Sequence, residues 1–363
     1  MPVSYSMPDD VQILHRALTT LHNPTQSYTT LHLSNCGTAM RFLTAYAAQL
    51  ENRVTILDGV ERMHHRPIGQ LVDALREIGA DIEYLGEEGF PPLRIKGCIL
   101  NKHREVTITN PQSTQFISAL LLIGVNVQTN STSPYIYITQ EVIKQYQLSP
   151  FSFHLTVEKD WSAAAFWYEY VALYGGEITL PGLSCDSLQG DKVVADIFAH
   201  LGVHTIYTDE GITIKKDNEF LIQQHKQLNP TTLRGNQLHA APGAKANNPC
   251  RSRELIRAEV VDIVVDNTLS LDFANCPDLY PAIALACERL GIELHATGVE
   301  SLPLKESDRL QAVAEHRTDA DHRMAMALLI AGYEVDDTAC ISKSYPQFME
   351  HFHHLQESNC SNV

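Results

Sequence analysis

The sequence predicts an α/β or α+β fold of two similar domains, and three observations support this prediction. Helical and strand patterns alternate along the chain, an arrangement typical of mixed folds. A unit of helix, glycine and strand occurs in residues 66–85 and again in 190–208, which predicts an internal repeat. The length of 363 residues suits two domains, which we expect to cover 1–188 and 189–363.

The elements themselves follow from local spacing. The first predicted helix covers "DDVQILHRALTTL", residues 9–21. A second helix is predicted within 66–85, because apolar side chains recur there at helical spacing, at Ile68, Leu71, Val72, Leu75 and Ile78. Pro67 favours the first turn of this helix, Gly79 provides its C-cap, and "ADIEYL" then has strand character. Residues 158–182 show the same order: a buried helix, a glycine stop and a strand.

One segment lacks any such pattern. Residues 217–259 are rich in Asn, Pro, Gly and basic side chains and have no hydrophobic periodicity. This composition predicts a disordered insert in the second domain. Ordered structure is expected to resume in "VVDIVVDNTLSLDF", which begins at residue 260.

Composition narrows the class of protein. A net charge of −16 argues against nucleic-acid binding, although a small anionic substrate needs only a local basic pocket. The eight cysteines are irregularly spaced and indicate reduced thiols. No apolar run approaches the ~20 residues of a membrane span, and the amino end shows no signal-peptide pattern. We therefore expect a cytoplasmic protein. The "MHH" and "HFHH" stretches do not fit metal-ligand spacing, so no metal is expected.

Two charged clusters stand out in a chain with 19% charged residues. They lie in "LPLKESDRL" and "DADHRMAMALL", and the second ends where a nearly uncharged helix begins. A solvated helix face is the simpler interpretation of either cluster alone. Charges at the mouth of a buried helix favour a binding site instead. The clustered side chains are Lys305, Glu306, Asp308, Arg309, Asp321, His322 and Arg323.

Four further motifs place polar groups at predicted helix starts, where free backbone amides attract anions. Each also has a structural interpretation, as a helix cap or a surface side chain. Together they predict a cleft in which helix N-termini converge on anionic ligands. The motifs contain Gly37 in "NCGTAMRFL", Arg66 before Pro67, the run Ser113, Thr114 and Gln115 in "NPQSTQFISALLL", and Asp278 in "NCPDLYPAIALA".

In this order the motifs resemble one family, 5-enolpyruvylshikimate-3-phosphate synthase (3-phosphoshikimate 1-carboxyvinyltransferase). The resemblance runs from about residue 9 to residue 352, apart from the insert. The pair "KESDR" and "DHRMAMA" is its most specific part. The matching stretches also include "NCGTAMRFL", "RPIGQLVDALREIGA", "PPLRIKG", "STQFISALL", "SPYIYIT", "SLQGD", "CPDL" and "KSYPQF".

The resemblance implies an enolpyruvyl transferase fold, with two domains of repeated βαβαββ units and buried helices. Domain 1–188 would bind shikimate 3-phosphate, and domain 189–363 would carry the Lys/Glu/Arg cluster. The implied reaction transfers the enolpyruvyl group of phosphoenolpyruvate to the 5-hydroxyl of shikimate 3-phosphate and releases phosphate. No metal or organic cofactor, nucleic acid or membrane is implied, and the chain is expected to act as a monomer on these two small substrates.

The resemblance also implies roles for individual residues. Asp278 would take the 5-hydroxyl proton, Lys305 would bind at the reacting centre, and Glu306 would move the proton on the methylene carbon. We expect burial to tune the pKa of Glu306 toward neutrality. Shikimate 3-phosphate would contact Ser113, Thr114, Gln115 and Tyr135. Phosphoenolpyruvate would be held by Arg66, Arg309, Arg323 and Lys343, with Gly37 lining its pocket.

This sequence departs from the family pattern in several places. It starts after the Lys-Ser-x-Ser-Asn-Arg motif with which the family opens, and a passage containing strands is missing between "LQAVAEH" and "TDADHR". Ser301 stands where an asparagine is common. A truncated, catalytically impaired member or a non-catalytic remnant is therefore the alternative. UDP-N-acetylglucosamine enolpyruvyl transferase shares the fold, but "STQF", "KESDR" and "DHR" speak against it.

Overall fold

The computed structural model describes residues 7–23, 26–148, 158–216 and 267–360. The expected insert at 217–259 lies outside the described residues. Helices and strands alternate along the described part of the chain, as the hydrophobic periodicity predicts.

The first unit has the complete order βαβαββ after an opening helix. Strands β1 and β2 run parallel, and β4 pairs antiparallel with both β2 and β3, in the sheet order β1-β2-β4-β3. Its elements are α1 (Asp9–Leu21), β1 (Tyr28–His32), α2 (Gly37–Ala48), β2 (Val54–Asp58), α3 (Gly69–Glu77), β3 (Asp81–Tyr84) and β4 (Leu93–Lys96). The helix expected to start at Pro67 begins at Gly69, because Pro67 and Ile68 still belong to the turn that follows the 3-10 helix Glu61–His65.

The remaining described strands form three smaller sheets. Strands β5 (Val106–Ile108) and β6 (Val127–Thr129) pair in parallel around α4 (Gln115–Leu122), and α5 (Pro134–Leu148) follows. Next come α6 (Trp161–Tyr174), β7 (Glu177–Pro181), α7 (Val194–Ala199), β8 (Val203–Thr208) and β9 (Gly211–Lys216), with the antiparallel sheet order β7-β9-β8. The last group is β10 (Thr268–Asp272), α8 (Tyr280–Leu290), β11 (Glu293–Thr297), α9 (Arg309–Glu315), α10 (His322–Ala331) and α11 (Phe348–Cys360).

Buried apolar side chains form two separate clusters. One draws its members from Ala17 to Ile136, and the other from Trp161 to Phe352. Helices α6 and α10 are buried along most of their length, as the nearly uncharged sequences of both helices predict. The division of the chain at residue 188 stays a prediction. Among the described residues, no helix is long and apolar enough to cross a membrane.

The connection between α9 and α10 is short and has unusual backbone angles. His316, Asp319 and Ala320 all have positive φ, at 52°, 47° and 55°. Aspartate tolerates this left-handed region better than alanine does, because its side chain can bond locally. The connection lies where the family resemblance implies a longer passage.

Replacing the exposed Ala320 by glycine is expected to stabilise the protein by about 0.5–1 kcal/mol. The left-handed conformation costs alanine about 1–2 kcal/mol, and the greater freedom of glycine in the unfolded chain offsets about 0.5–1 kcal/mol of the gain. Urea denaturation measures the difference. The control is Ala314→Gly, on the exposed side of α9, which should lose about 1 kcal/mol. A loss of stability in Ala320→Gly as well would contradict the prediction.

Candidate active site

Arg309, at the start of α9, is the centre of the site. Its side chain is 1% exposed. The Nη1 atom donates to Asp278 Oδ1 at 2.7 Å, Nε to Asp321 Oδ2 at 2.8 Å, and Nη2 to Glu306 Oε2 at 3.2 Å. The guanidinium thus joins carboxylates from three segments, so both charged clusters predicted from the sequence belong to one site.

Asp278 lies in a 3-10 turn just before α8 and makes no capping hydrogen bond there. It pairs instead with Lys305 Nζ and Arg323 Nη2, each at 3.2 Å, in addition to Arg309. Burial raises its pKa, but Arg323, Lys305 and Arg309 outweigh burial and hold the pKa well below its ordinary value. The carboxylate is therefore ionised and surrounded by cations. The interpretation of Asp278 as a helix cap is therefore wrong.

Glu306 connects the two halves of the chain. Its Oε1 atom lies 3.6 Å from Arg66 Nη1 and 3.6 Å from Lys343 Nζ, and Lys343 also pairs closely with Asp10 of α1. Burial raises the pKa of Glu306, but Arg66, Lys343 and Arg309 together hold it well below its ordinary value. The expected tuning toward neutrality is therefore wrong for this state, because the surrounding cations outweigh burial.

A second buried arginine lies beside Arg66, and the site assignment from the sequence missed it. Arg41 Nη1 donates to Gln115 Oε1 at 3.2 Å, and Gln115 Nε2 donates to Thr38 Oγ1 at 2.8 Å. Burial and the neighbouring Arg66 lower the pKa of Arg41 to about 9. Each of the two arginines has a buried Nε without a hydrogen-bond partner among the described residues. Two adjacent cations with spare donors favour an anion.

Gly37, the first residue of α2, provides the space for these arginines. A Cβ atom at this position would lie 2.8 Å from Arg66 Nη2 and would also collide with Arg41. Its pocket-lining role, taken from the resemblance, stays a prediction, and the contact with two guanidinium groups supports it.

Gly37→Ala should raise KM for phosphoenolpyruvate, the substrate that the resemblance places beside Gly37, about tenfold or more while changing stability by less than about 1 kcal/mol. The added methyl displaces the flexible ends of two arginines, and a displaced cation of this kind costs about 1.5–3 kcal/mol in a charged hydrogen bond. Steady-state kinetics and urea denaturation measure the two effects. As a control, Gly86→Ala adds a methyl whose nearest neighbour is Pro92 Cδ at 3.5 Å, an ordinary contact. An unchanged KM in Gly37→Ala would contradict the prediction.

The other predicted substrate contacts lie near this network. Gln115 starts α4, and its backbone N–H donates to Ser113 Oγ at 3.3 Å, while Thr114 occupies the N-cap position without a capping bond. Tyr135, near the start of α5, faces the charges of the second half. Asp191 and burial raise its pKa well above the ordinary value. Gln115 thus contacts Arg41 of the first half, whereas Tyr135 lies near Asp191 and Asp278 of the second.

Asp191 is a further residue that the sequence assignment missed. It is 1% exposed, accepts a short hydrogen bond from Ser162 Oγ, and keeps its Oδ1 atom without a partner among the described residues. Burial and the charge of Asp278 raise its pKa to about 7. The signal was present in "SLQGD", interpreted only as part of the family resemblance. His322, counted with the charged cluster, is neutral, because burial lowers its pKa to about 3.

A cavity of about 580 Å³ opens next to the network and is walled by both halves of the chain. Glu306 and Lys343 reach it from the second half, and Asn35 and Arg62 from the first. Within the described ranges, no group of three or more His, Cys, Asp or Glu side chains could hold a metal ion. The cavity lining combines the cations Arg62 and Lys343 with carboxylates from both halves, at Asp9, Asp10, Glu306, Asp308 and Asp319. Arg66 adjoins it through its contact with Glu306, so cations for a small anion and carboxylates for proton transfer border one space.

The sequence is similar to proteins of one family. The family model of EPSP synthase (3-phosphoshikimate 1-carboxyvinyltransferase) matches residues 5–149, 122–244 and 313–352. A Bacteroides fragilis protein named 3-phosphoshikimate 1-carboxyvinyltransferase is 33% identical over 96% of this chain and 87% of its own length. A protein of the same name from Colwellia psychrerythraea is 30% identical over 88% of this chain and 78% of its own length.

Solved structures show the same fold. An EPSP synthase structure from Acinetobacter baumannii superimposes with a TM-score of 0.52 at 19% identity, covering 89% of this chain and 78% of that one. At this identity the similarity supports the enolpyruvyl transferase fold, and family membership follows from the sequence matches. The chain belongs to the EPSP synthase (3-phosphoshikimate 1-carboxyvinyltransferase) family.

Proposed function

We propose that this protein transfers the enolpyruvyl group of phosphoenolpyruvate to the 5-hydroxyl of shikimate 3-phosphate and releases inorganic phosphate. Family membership supports the reaction, and the site supplies the charge that it requires. Both substrates are polyanions. Lys343 lines the cavity between the two halves, and Arg41, Arg66, Arg323 and Lys305 belong to the charged groups next to it. Fixed cations of this kind stabilise anionic reactants without reorganising.

The reaction forms one bond and breaks another. The 5-hydroxyl oxygen bonds to C2 of phosphoenolpyruvate and loses its proton, while the methylene carbon gains one. The bond from C2 to the phosphate oxygen then breaks, the methyl carbon gives a proton back, and phosphate leaves. The protein must therefore supply a base for the hydroxyl and a group that lends and recovers a proton at carbon.

We assign the first of these tasks to Asp278, with Lys305 at the reacting centre. The pKa of Asp278 is held well below its ordinary value once the cations Arg323, Lys305 and Arg309 outweigh burial. Substrate anions that pair with Arg323 and Lys305 weaken the effect of these cations on Asp278. The pKa of Asp278 therefore rises when substrates bind, and its carboxylate becomes a stronger base. We assign binding of shikimate 3-phosphate to Ser113, Thr114, Gln115 and Tyr135.

We assign the proton at the methylene carbon to Glu306. Arg66 and Lys343 each approach its Oε1 atom to 3.6 Å. We assign both of them, together with Arg309 and Arg323, to the binding of phosphoenolpyruvate. When the phosphate and carboxylate of this substrate take over these cations, the pKa of Glu306 rises from its depressed value and the group can carry a proton. Substrate binding and acid–base competence are thus coupled through the same charges.

The observation that carries the proposal is the contact of Arg66 with Glu306, which joins the charges of both halves into one network. A phosphate-release assay with both substrates tests it. We expect release only when shikimate 3-phosphate and phosphoenolpyruvate are both present. Release with UDP-N-acetylglucosamine in place of shikimate 3-phosphate would favour the related transferase. No release with either acceptor would favour the non-catalytic remnant.

Three further properties belong to the proposal. We propose that the protein acts as a monomer, because both halves of the site come from one chain, and size-exclusion chromatography with light scattering tests this. We also propose a cytoplasmic location, where phosphoenolpyruvate is made, which fractionation tests. We also propose that residues 1–188 form a domain that binds shikimate 3-phosphate and that residues 189–363 form a domain that carries Lys305 and Glu306. The reason is again that the site draws its residues from both halves of the chain.

A further inference from the structure

Arg62 joins the two halves of the chain through backbone contacts. It lies in the 3-10 helix Glu61–His65, and its Nη2 atom donates to the carbonyl oxygens of Pro303 at 2.8 Å and Lys305 at 2.9 Å. The Nε atom also donates to the Lys305 carbonyl, at 3.2 Å. One half-buried guanidinium thus fastens a turn that is more than 240 residues away in sequence.

The turn that Arg62 fastens carries the reacting side chains. The 3-10 helix Leu302–Leu304 ends at Lys305, and Glu306 follows directly. The last carbonyls of a helix have no partner within it, and Arg62 supplies one from the other half. Because Lys305 and Glu306 branch from this same backbone, the orientation of both depends on where the turn lies.

The 3-10 helix Glu61–His65 is itself well anchored. Met63 is fully buried in the first core, and His64 Nε2 lies 2.8 Å from Asp58 Oδ1 at the end of β2. Arg66, four residues after Arg62, approaches the Glu306 side chain from the same turn. One rigid element therefore holds the opposite turn twice, by its backbone through Arg62 and by a side chain through Arg66.

We propose that Arg62 is a positioning residue for the reaction. Its guanidinium borders the cavity, and its hydrogen bonds fix the backbone from which Lys305 and Glu306 reach the substrates. A planar guanidinium suits this task because it donates to the two carbonyls from two nitrogens in fixed geometry, whereas lysine has its three donors on one rotating nitrogen. Arg62 sets the position of the second half of the chain against the first. Binding of shikimate 3-phosphate alone does not depend on Arg62.

The test compares Arg62→Met and Arg62→Lys with the wild-type chain; the activity arm rests on the proposed function. Arg62→Met should lower kcat about ten- to hundredfold, with unchanged affinity for shikimate 3-phosphate measured by calorimetry. Arg62→Lys should recover part of the rate. The matched control is Arg94→Met, an exposed arginine of β4 that pairs with Glu83. Wild-type kcat in Arg62→Met, or an equal loss of kcat and shikimate 3-phosphate affinity, would overturn the inference.

A second arm needs no turnover. The amide hydrogens of Leu302, Leu304 and Lys305 are bonded within their turn, and hydrogen–deuterium exchange of a peptide covering 302–306 reports on it. Arg62→Met should speed this exchange about tenfold, while peptides of the first core and the midpoint of thermal unfolding stay near wild type. Unchanged exchange overturns the inference. A wild-type chain without turnover contradicts the proposed function, and the exchange result alone then decides the role of Arg62.

Discussion

Arg309→Met is expected to lower the free energy of unfolding by about 3–5 kcal/mol and to abolish turnover. The side chain is 1% exposed and pairs with Asp278, Glu306 and Asp321. Its removal leaves buried carboxylates with one cation fewer, and breaking a buried ion pair from one side costs about this much. Methionine preserves most of the volume, so the loss reports on charge and hydrogen bonding. Urea denaturation at neutral pH measures it.

The pH dependence identifies the cause of the loss. Burial raises the pKa of Asp278 and of Asp321, but Arg309 and its cationic neighbours hold both below the ordinary value. Carboxyl groups of this kind add stability above their unfolded pKa and lose it as the pH falls through the folded pKa. The difference between wild type and Arg309→Met should therefore be largest above about pH 5 and shrink below it. A destabilisation of less than about 1 kcal/mol, like that expected of the exposed control Arg94→Met, would contradict this account.

Glu306→Gln is expected to lower kcat by about 10²–10⁴-fold, the usual contribution of a positioned acid or base. Glutamine keeps the shape of the side chain and can still accept from Arg309, so the turn around it should remain in place. It exchanges no proton at the methylene carbon. Phosphate release under single-turnover conditions measures the effect, and affinity for shikimate 3-phosphate should be retained.

The control is Glu83→Gln, on an exposed strand of the first sheet, which should leave the rate unchanged. A kcat within tenfold of wild type would remove Glu306 from the chemical step. The pH profile gives a second check. Burial raises the pKa of Glu306, but Arg66, Lys343 and Arg309 hold it well below the ordinary value in the free protein. Glu306 is therefore ionised in the free protein above about pH 5, and its titration should not lower kcat/KM in that range.

Several elements could be predicted because their causes are local. Helices α3 and α6 follow from apolar spacing and from the glycines that end them, and Gly79 and Gly175 indeed have positive φ. The start of α3 was placed two residues early, since proline at 67 is compatible with the preceding turn as well as with a first helical turn. The family motifs predicted one site for the two charged clusters, and the structure brings their side chains together at Arg309.

Other features depend on neighbours that no spacing reveals. Arg41 is adjacent to Gln115 only because α2 and α4 pack together, and Asp191 lies near Asp278 only because two distant turns meet. The pKa of Glu306 shows the difference most clearly. From the sequence, burial suggested an upward shift, yet the cations that outweigh burial come from residues 66, 309 and 343.

The order of hydrophobic and polar residues was enough for several helices and strands, because periodicity and turn chemistry act within a few residues along the chain. The fold family followed from the resemblance of the motifs. Three features required coordinates. They are the charge states of the buried carboxylates, the contacts between the two halves of the chain, and the hydrogen bonds of Arg62 to the backbone of Pro303 and Lys305. Electrostatic and hydrogen-bond energies depend on separations of a few ångströms between atoms hundreds of residues apart, and those separations arise only when the two halves pack against each other.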